Sequence, residues 1–154
     1  MADQPHVMIA VARFYEDIAD ELVRGATLAL QNGGATFEIV EVPGAFELPA
    51  AVSTALRALE FVGGRRRFDG YVTLGCVIRG ETSHYDYVCG ETARGLQDLA
   101  VKYCLALGFG LLTVETREQA EERAGVDRRD KGGEAARVCL SMIELKRAFG
   151  LFPR

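Results

Sequence analysis

Residues Gly75–Tyr87 read GCVIRGETSHYDY, and the reading of this stretch decides the fold. The apolar run Tyr71 to Ile78 predicts a strand. It ends in a short polar turn of Arg79, Gly80, Glu81, Thr82, Ser83 and His84, and a helix begins soon after. Open α/β sheets place ligands at the carboxyl ends of their strands. A helix start at that edge offers free backbone N–H groups and a partial positive charge, which suits a phosphate. His84 can move protons beside such an anion at neutral pH.

The flanking sequence alternates strand and helix in the same way. His6 to Ala12 is a β-rich apolar run, read as a strand buried between layers. Glu16 to Leu30 carries Ile18, Leu22, Ala26 and Ala29 at helical spacing, and Asn32-Gly33-Gly34 stops it. Thr36 to Val42 is a second strand. Its two faces are both mostly apolar, so it is expected to be covered on both sides. Pro43-Gly44 breaks it, and Phe46 to Leu59 is a second helix. Tyr85 to Leu107 is a long third helix with Val88, Thr92, Leu96, Leu99 and Tyr103 on one face. Phe109 to Val114 is a fourth strand. Thr116 and Gln119 form a capping-box pattern for a short helix ending at Ala124. After the charged loop Gly125 to Lys131, Gly132 to Phe149 is a last helix expected to turn Ala135, Val138, Met142, Leu145 and Phe149 inward. This order predicts an α/β fold, one domain over residues 1–154, with a small four-stranded parallel sheet, helices on both faces and right-handed crossovers.

Composition narrows the function classes. The chain has 154 residues, 49% hydrophobic and 26% charged, as expected of a globular protein with a full core. Its apolar runs fall far short of the roughly 20 residues that span a bilayer. The start MADQPH lacks a basic segment followed by an apolar one, which argues against a signal peptide. A net charge of −4 disfavours nucleic acid as the main partner. Arg65-Arg66-Arg67 follow two glycines and read as a solvated loop. The four cysteines, Cys76, Cys89, Cys104 and Cys139, have no CxxC spacing and read as buried free thiols. That use of cysteine points to a reducing cytoplasm.

Each candidate residue has an ordinary alternative. Gly80-Glu81-Thr82 can hold an anion, or it can simply precede a helix capped by Ser83 and Asp86. It has no Walker A spacing, and no GxGxxG occurs, so a nucleotide site is disfavoured. Glu47 follows the second strand and can accept hydrogen bonds from hydroxyls, or serve only as a first-turn acid. Phe14 follows the first strand and can stack on a flat ring, or pack in the core. Phe109 begins the fourth strand, at the opposite end from the others, and cannot easily reach the same pocket within one subunit. Arg123 and Lys131 flank the loop after that strand and read first as surface charge.

Four segments in order resemble the lumazine synthase family: ARF at Ala12 to Phe14, VPGAFELP at Val42 to Pro49, GCVIRGETSHYDYV at Gly75 to Val88, and LTVETREQAEERAG with KGGEAA from Leu112 to Ala136. The resemblance covers nearly the whole chain. It implies a flavodoxin-like three-layer α/β/α sandwich. It also implies condensation of 5-amino-6-(D-ribitylamino)uracil with 3,4-dihydroxy-2-butanone 4-phosphate, the penultimate step of riboflavin biosynthesis, with no metal or organic cofactor.

The resemblance also implies residue roles. Phe14 would stack on the pyrimidine, and Ala45, Phe46 and Glu47 would line the ribityl side. The Cys76-Val77-Ile78 backbone would bind the uracil edge. Glu81 and Thr82 would bind the phosphate-bearing substrate, and His84 would transfer protons. Phe109 and Arg123 would come from the neighbouring subunit of a homopentamer, with Arg123 on the phosphate and Lys131 assisting the charge balance. Neither nucleic acid nor membrane is an expected partner. The chain departs from many members at Tyr15, at Phe46 and in the loop GVDRRDK, and few residues precede its first strand. These features favour a free pentamer and leave a 60-subunit shell as the alternative. The changes at Tyr15 and Phe46 also raise a second reading, a catalytically weak riboflavin- or lumazine-binding protein on the same scaffold.

Overall fold

A computed structural model describes residues 4–62 and 68–153. Arg65-Arg66-Arg67, read as a solvated loop, lie outside the described residues. The strands are β1 (His6–Ala12), β2 (Thr36–Val42), β3 (Gly70–Ile78) and β4 (Leu107–Val114). The helices are α1 (Glu16–Asn32), α2 (Leu48–Val62), α3 (His84–Tyr103), α4 (Arg117–Ala124) and α5 (Lys131–Ala148). The strands form one sheet in the order β2-β1-β3-β4, and every pairing is parallel. Parallel strands need crossovers, and those crossovers cover the sheet with helices.

Alternate residues of β1 feed two cores. Val7, Ile9 and Val11 pack with Ile18, Leu22 and Ala26 of α1 and with Ala136, Cys139 and Ile143 of α5. Met8, Ala10 and Ala12 pack on the other side with Leu48 and Val52 of α2 and Leu96 of α3. The result is the three-layer α/β/α sandwich expected, of flavodoxin-like type.

Several expectations are corrected. β2 is the edge of the sheet and is not covered on both sides: Ile39 and Val40 are exposed. The segment after Pro43-Gly44 makes a single 3-10 turn, Ala45–Glu47, before α2 begins at Leu48. α3 stops at Tyr103 because Cys104 adopts the left-handed conformation (φ 54°), and the N–H of Leu105 then donates to the Ala100 carbonyl at 3.0 Å. Only Cys76 and Cys139 are buried thiols, whereas Cys89 is half-buried and Cys104 exposed.

The inward face of α5 is only in part the one expected, since Ala135 alone of the five residues named is buried. Val138, Met142, Leu145 and Phe149 are exposed, and the buried row is Gly132, Gly133, Ala135, Ala136, Cys139 and Ile143. Small residues decide this, because they let the backbone come close. A Cβ on Gly132 would lie 2.1 Å from the carbonyl oxygen of Leu22 in α1. A Cβ on Gly108 in β4 would lie 1.9 Å from the carbonyl oxygen of Ala135. Dense contact along the glycine and alanine row outweighs burial of the larger side chains on the opposite face.

Candidate active site

The strand order switches direction between β1 and β3, which have neighbours leading off to opposite sides. A crevice forms at such a switch, outside the carboxyl ends of the strands. Here it holds a cleft of about 650 Å³. Its wall draws on the segments after three strands: Phe14 and Tyr15 after β1, Gly44 to Glu47 after β2, and Gly80, Thr82 and His84 after β3. Cys76, Val77 and Ile78 at the end of β3 complete it, together with Tyr85, Tyr87 and Val88 from α3.

Phe14 is 73% exposed, and its ring meets Tyr15 edge-on with centroids 4.9 Å apart. The ring is therefore supported by Tyr15 and still largely open to a planar ligand. Phe46 is also exposed, beside Glu47. The turn carrying them is pinned from α3, where the buried Thr92 hydroxyl donates to the Ala45 carbonyl at 3.2 Å. Burial pushes the Cys76 thiol up to about 12, so it stays neutral at pH 7 beside the cleft. Burial likewise raises the Tyr85 phenol above its ordinary value, against a hydrogen bond with Thr113 that lowers it.

At the other end of the cleft the Thr82 hydroxyl accepts the His84 N–H at 3.2 Å. Ser83 occupies the N-cap position but makes no side-chain cap, so the Ser83 capping pattern is not the one used. His84 is exposed at the head of α3, where its own N–H goes to Thr82 and that of Asp86 to the Ser83 carbonyl at 3.0 Å, so the helix start draws an anion through its dipole. Its imidazole and an anion-attracting helix start thus share one cleft edge.

Four of the residues read from sequence stand apart from this wall. Glu81 is exposed in the turn between Gly80 and Thr82 but does not line the cleft. Phe109 pairs in register with Thr73, five residues before Ile78, which puts it about 16 Å back along the sheet. Arg123 donates to the Gln119 carbonyl at 3.2 Å, and Lys131 bonds Glu134 at 3.0 Å. Within one chain neither reaches the cleft wall. Tyr85, Tyr87 and Val88 were not anticipated as site residues, and Tyr15, noted from sequence only as a departure from the family, also lines the cleft. Each sits within four residues of an anticipated position, which is the signal that could have found them. Arg128 and Arg129 both face Glu122, at 3.3 and 4.0 Å. Among the described residues no group of three or more His, Cys, Asp or Glu is placed to hold a metal ion.

A sequence profile described as 6,7-dimethyl-8-ribityllumazine synthase matches residues 4–147. The chain belongs to the 6,7-dimethyl-8-ribityllumazine synthase family. It is 51% identical to the synthase of that name from Agrobacterium fabrum over 147 residues, covering 96% of this chain and 98% of the relative. It is 54% identical to 6,7-dimethyl-8-ribityllumazine synthase 1 of Rhizobium meliloti, covering 94% of each chain. The synthase from Bartonella tribocorum is 50% identical, over 97% of this chain and 95% of that one. This family membership makes the chain an enzyme of the transferase class, and residues from three of the four lumazine synthase motifs line the cleft at the β1/β3 switch.

Proposed function

We propose that the chain condenses 5-amino-6-(D-ribitylamino)uracil with 3,4-dihydroxy-2-butanone 4-phosphate to 6,7-dimethyl-8-ribityllumazine, the penultimate step of riboflavin biosynthesis. The observation that carries the reading is the convergence on one cleft of an exposed stacking ring, a strand-end backbone, a carboxylate and a histidine at a helix start. Phe14 stacks on the pyrimidine. The Cys76-Val77-Ile78 backbone binds its edge, and Glu47 with Ala45 and Phe46 holds the ribityl chain. Thr82, Glu81 and the start of α3 take the phosphate-bearing substrate.

The 5-amino group attacks the ketone and forms an imine with loss of water. Inorganic phosphate is then eliminated, and ring closure releases a second water. His84 moves the protons. Most of the rate comes from holding two substrates in attack geometry, which can be worth about 7–11 kcal/mol. Acid–base help typically adds about 10²–10⁴-fold. No step calls for a metal or organic cofactor.

Phe109 and Arg123 serve the cleft of a neighbouring copy, Arg123 on the phosphate with Lys131 in support. The exposure of Val101, Phe109, Val138, Met142, Leu145 and Phe149 supports a homo-oligomer, with a pentamer favoured over a 60-subunit shell. One domain spans the chain. No described helix is long and apolar enough to cross a membrane, and the free thiols favour the cytoplasm as its location.

The test mixes purified chain with both substrates and follows lumazine absorbance and free phosphate together. Equal molar appearance of the two, above a no-protein control, is the expected result. Tight binding of ribitylaminouracil without turnover would replace this reading with the riboflavin- or lumazine-binding protein.

A further inference from the structure

Arg79 sits at the end of β3, just ahead of the turn that carries Thr82 and His84, and does not line the cleft. Its side chain nevertheless reaches three groups in three directions. Nε lies 3.0 and 3.1 Å from the two carboxylate oxygens of Glu115, beyond the end of β4. Nη2 lies 3.3 Å from Asp86 Oδ1, in the first turn of α3. The guanidinium carbon stands 4.2 Å above the centre of the Tyr85 ring, which itself lines the cleft. The Arg79 N–H donates to the Val114 carbonyl at 2.9 Å, so its backbone is fixed to β4 as well.

Residues 80–83 between Arg79 and α3 are tied to the helix start by local bonds, from the Asp86 N–H to the Ser83 carbonyl at 3.0 Å and from the His84 N–H to the Thr82 hydroxyl at 3.2 Å. Gly80 has open space around it, and Ser83 makes no side-chain cap. Isolated surface ion pairs contribute little to global stability. A planar cation that stacks on one group and bonds two carboxylates instead fixes direction, which a flexible ammonium cannot reproduce. With both carboxylates and the ring engaged, the guanidinium is a brace for its neighbours.

We propose that Arg79 is a positioning residue: it braces the first turn of α3 against Glu115 and so places Thr82 and His84 for the phosphate-bearing substrate. This rests on the assignment of that end of the cleft to the phosphate. The turn Ala45 to Glu47 at the other end is held by the buried Thr92, which lies deeper in α3 than the first turn that Arg79 contacts. Loss of the brace therefore affects the two substrates unequally.

The experiment compares Arg79→Gln, Arg79→Lys and Glu115→Gln with the unaltered chain. It measures kcat, KM for each substrate, and direct binding of ribitylaminouracil alone and of inorganic phosphate alone. Arg79→Gln is expected to lower kcat/KM for the butanone phosphate at least about ten-fold, as a displaced reacting group does. Phosphate binding weakens, ribitylaminouracil binding is unchanged, and Glu115→Gln gives the same pattern more mildly. Arg79→Lys recovers only part of the loss. Equal loss for both ligands, or none for either, overturns the proposal. If the unaltered chain makes no lumazine, the assigned reaction fails, and the two binding measurements still decide the role of Arg79. If Arg79→Gln does not fold, Arg79→Lys and Glu115→Gln carry the same comparison.

Discussion

Thr92 and Ala45 join the two ends of the cleft: the buried Thr92 hydroxyl on α3 donates to the Ala45 carbonyl after β2 at 3.2 Å. The helix whose first turn carries His84 thus also holds the turn that carries Phe46 and Glu47. Thr92→Val keeps the shape and removes the donor, while the Ala45 carbonyl keeps its bond from the Leu48 N–H. The expected cost is about 0.5–1.5 kcal/mol, read by urea denaturation. Ribitylaminouracil binding should weaken more than phosphate binding.

Backbone proximity sets where α5 can sit. A Cβ at Gly132 or Gly108 meets a carbonyl oxygen at 2.1 or 1.9 Å, and no side-chain rotation relieves either clash. Gly132→Ala and Gly108→Ala should each destabilise the fold by about 1–3 kcal/mol or more, seen as a lowered Tm. Gly80→Ala, with nothing within 4 Å of the added Cβ, should leave the Tm nearly unchanged.

Glu21 links α1 to the loop before α5. One of its carboxylate oxygens lies 2.6 Å from Arg24 Nη2 and accepts the Val126 N–H at 3.0 Å. These bonds, Arg24 first, hold its pKa below the usual carboxylate value. A carboxylate depressed in the folded state stabilises it fully above its unfolded pKa of about 4.3, and the gain is lost as pH falls through the lower folded value. Urea denaturation from pH 6 down to 3 should show a shallower acid-side loss in Glu21→Gln. The difference should not exceed about 1 kcal/mol for so accessible a pair.

Much of this was legible because it depends on local pattern. Ile18, Leu22, Ala26 and Ala29 mark one face of α1 by spacing alone, and all four are buried. Phe14, Ala45 to Glu47, Cys76 to Ile78, Thr82 and His84 follow or end strands, and parallel topology brings those ends together. The face of α5 was not legible, since glycine and alanine carry little hydrophobic signal while Val138, Met142, Leu145 and Phe149 carry much. The contact that orients α5 is with the backbone of Leu22. Exposure of β2 was hidden for a related reason, because strand order is not written in the strand. Arg79 is legible only once Glu115, 36 positions away, is seen beside it.

Phe109, Arg123 and Lys131 stand off the cleft of their own chain, and serving a neighbour predicts complementation. A Phe14→Ala, Glu47→Ala chain and an Arg123→Ala chain should each be poorly active alone. Unfolded together and refolded as a mixture, random assembly gives about a quarter of the sites both intact halves, and activity should recover in proportion. A mixture no more active than the mean of its parts would place Arg123 in the site of its own chain.

The central claim is that the cleft at the β1/β3 switch carries out lumazine synthesis. Its most direct test is the rate of lumazine formation from ribitylaminouracil and the butanone phosphate, in the unaltered chain and in a His84→Ala, Arg123→Ala double variant, against the reaction without protein. The account predicts a rate far above background for the unaltered chain. It predicts a rate in the double variant lower by on the order of 10²-fold or more, with folding and ribitylaminouracil binding retained. Equal rates in the two proteins, or an unaltered chain no faster than the uncatalysed condensation, would contradict it.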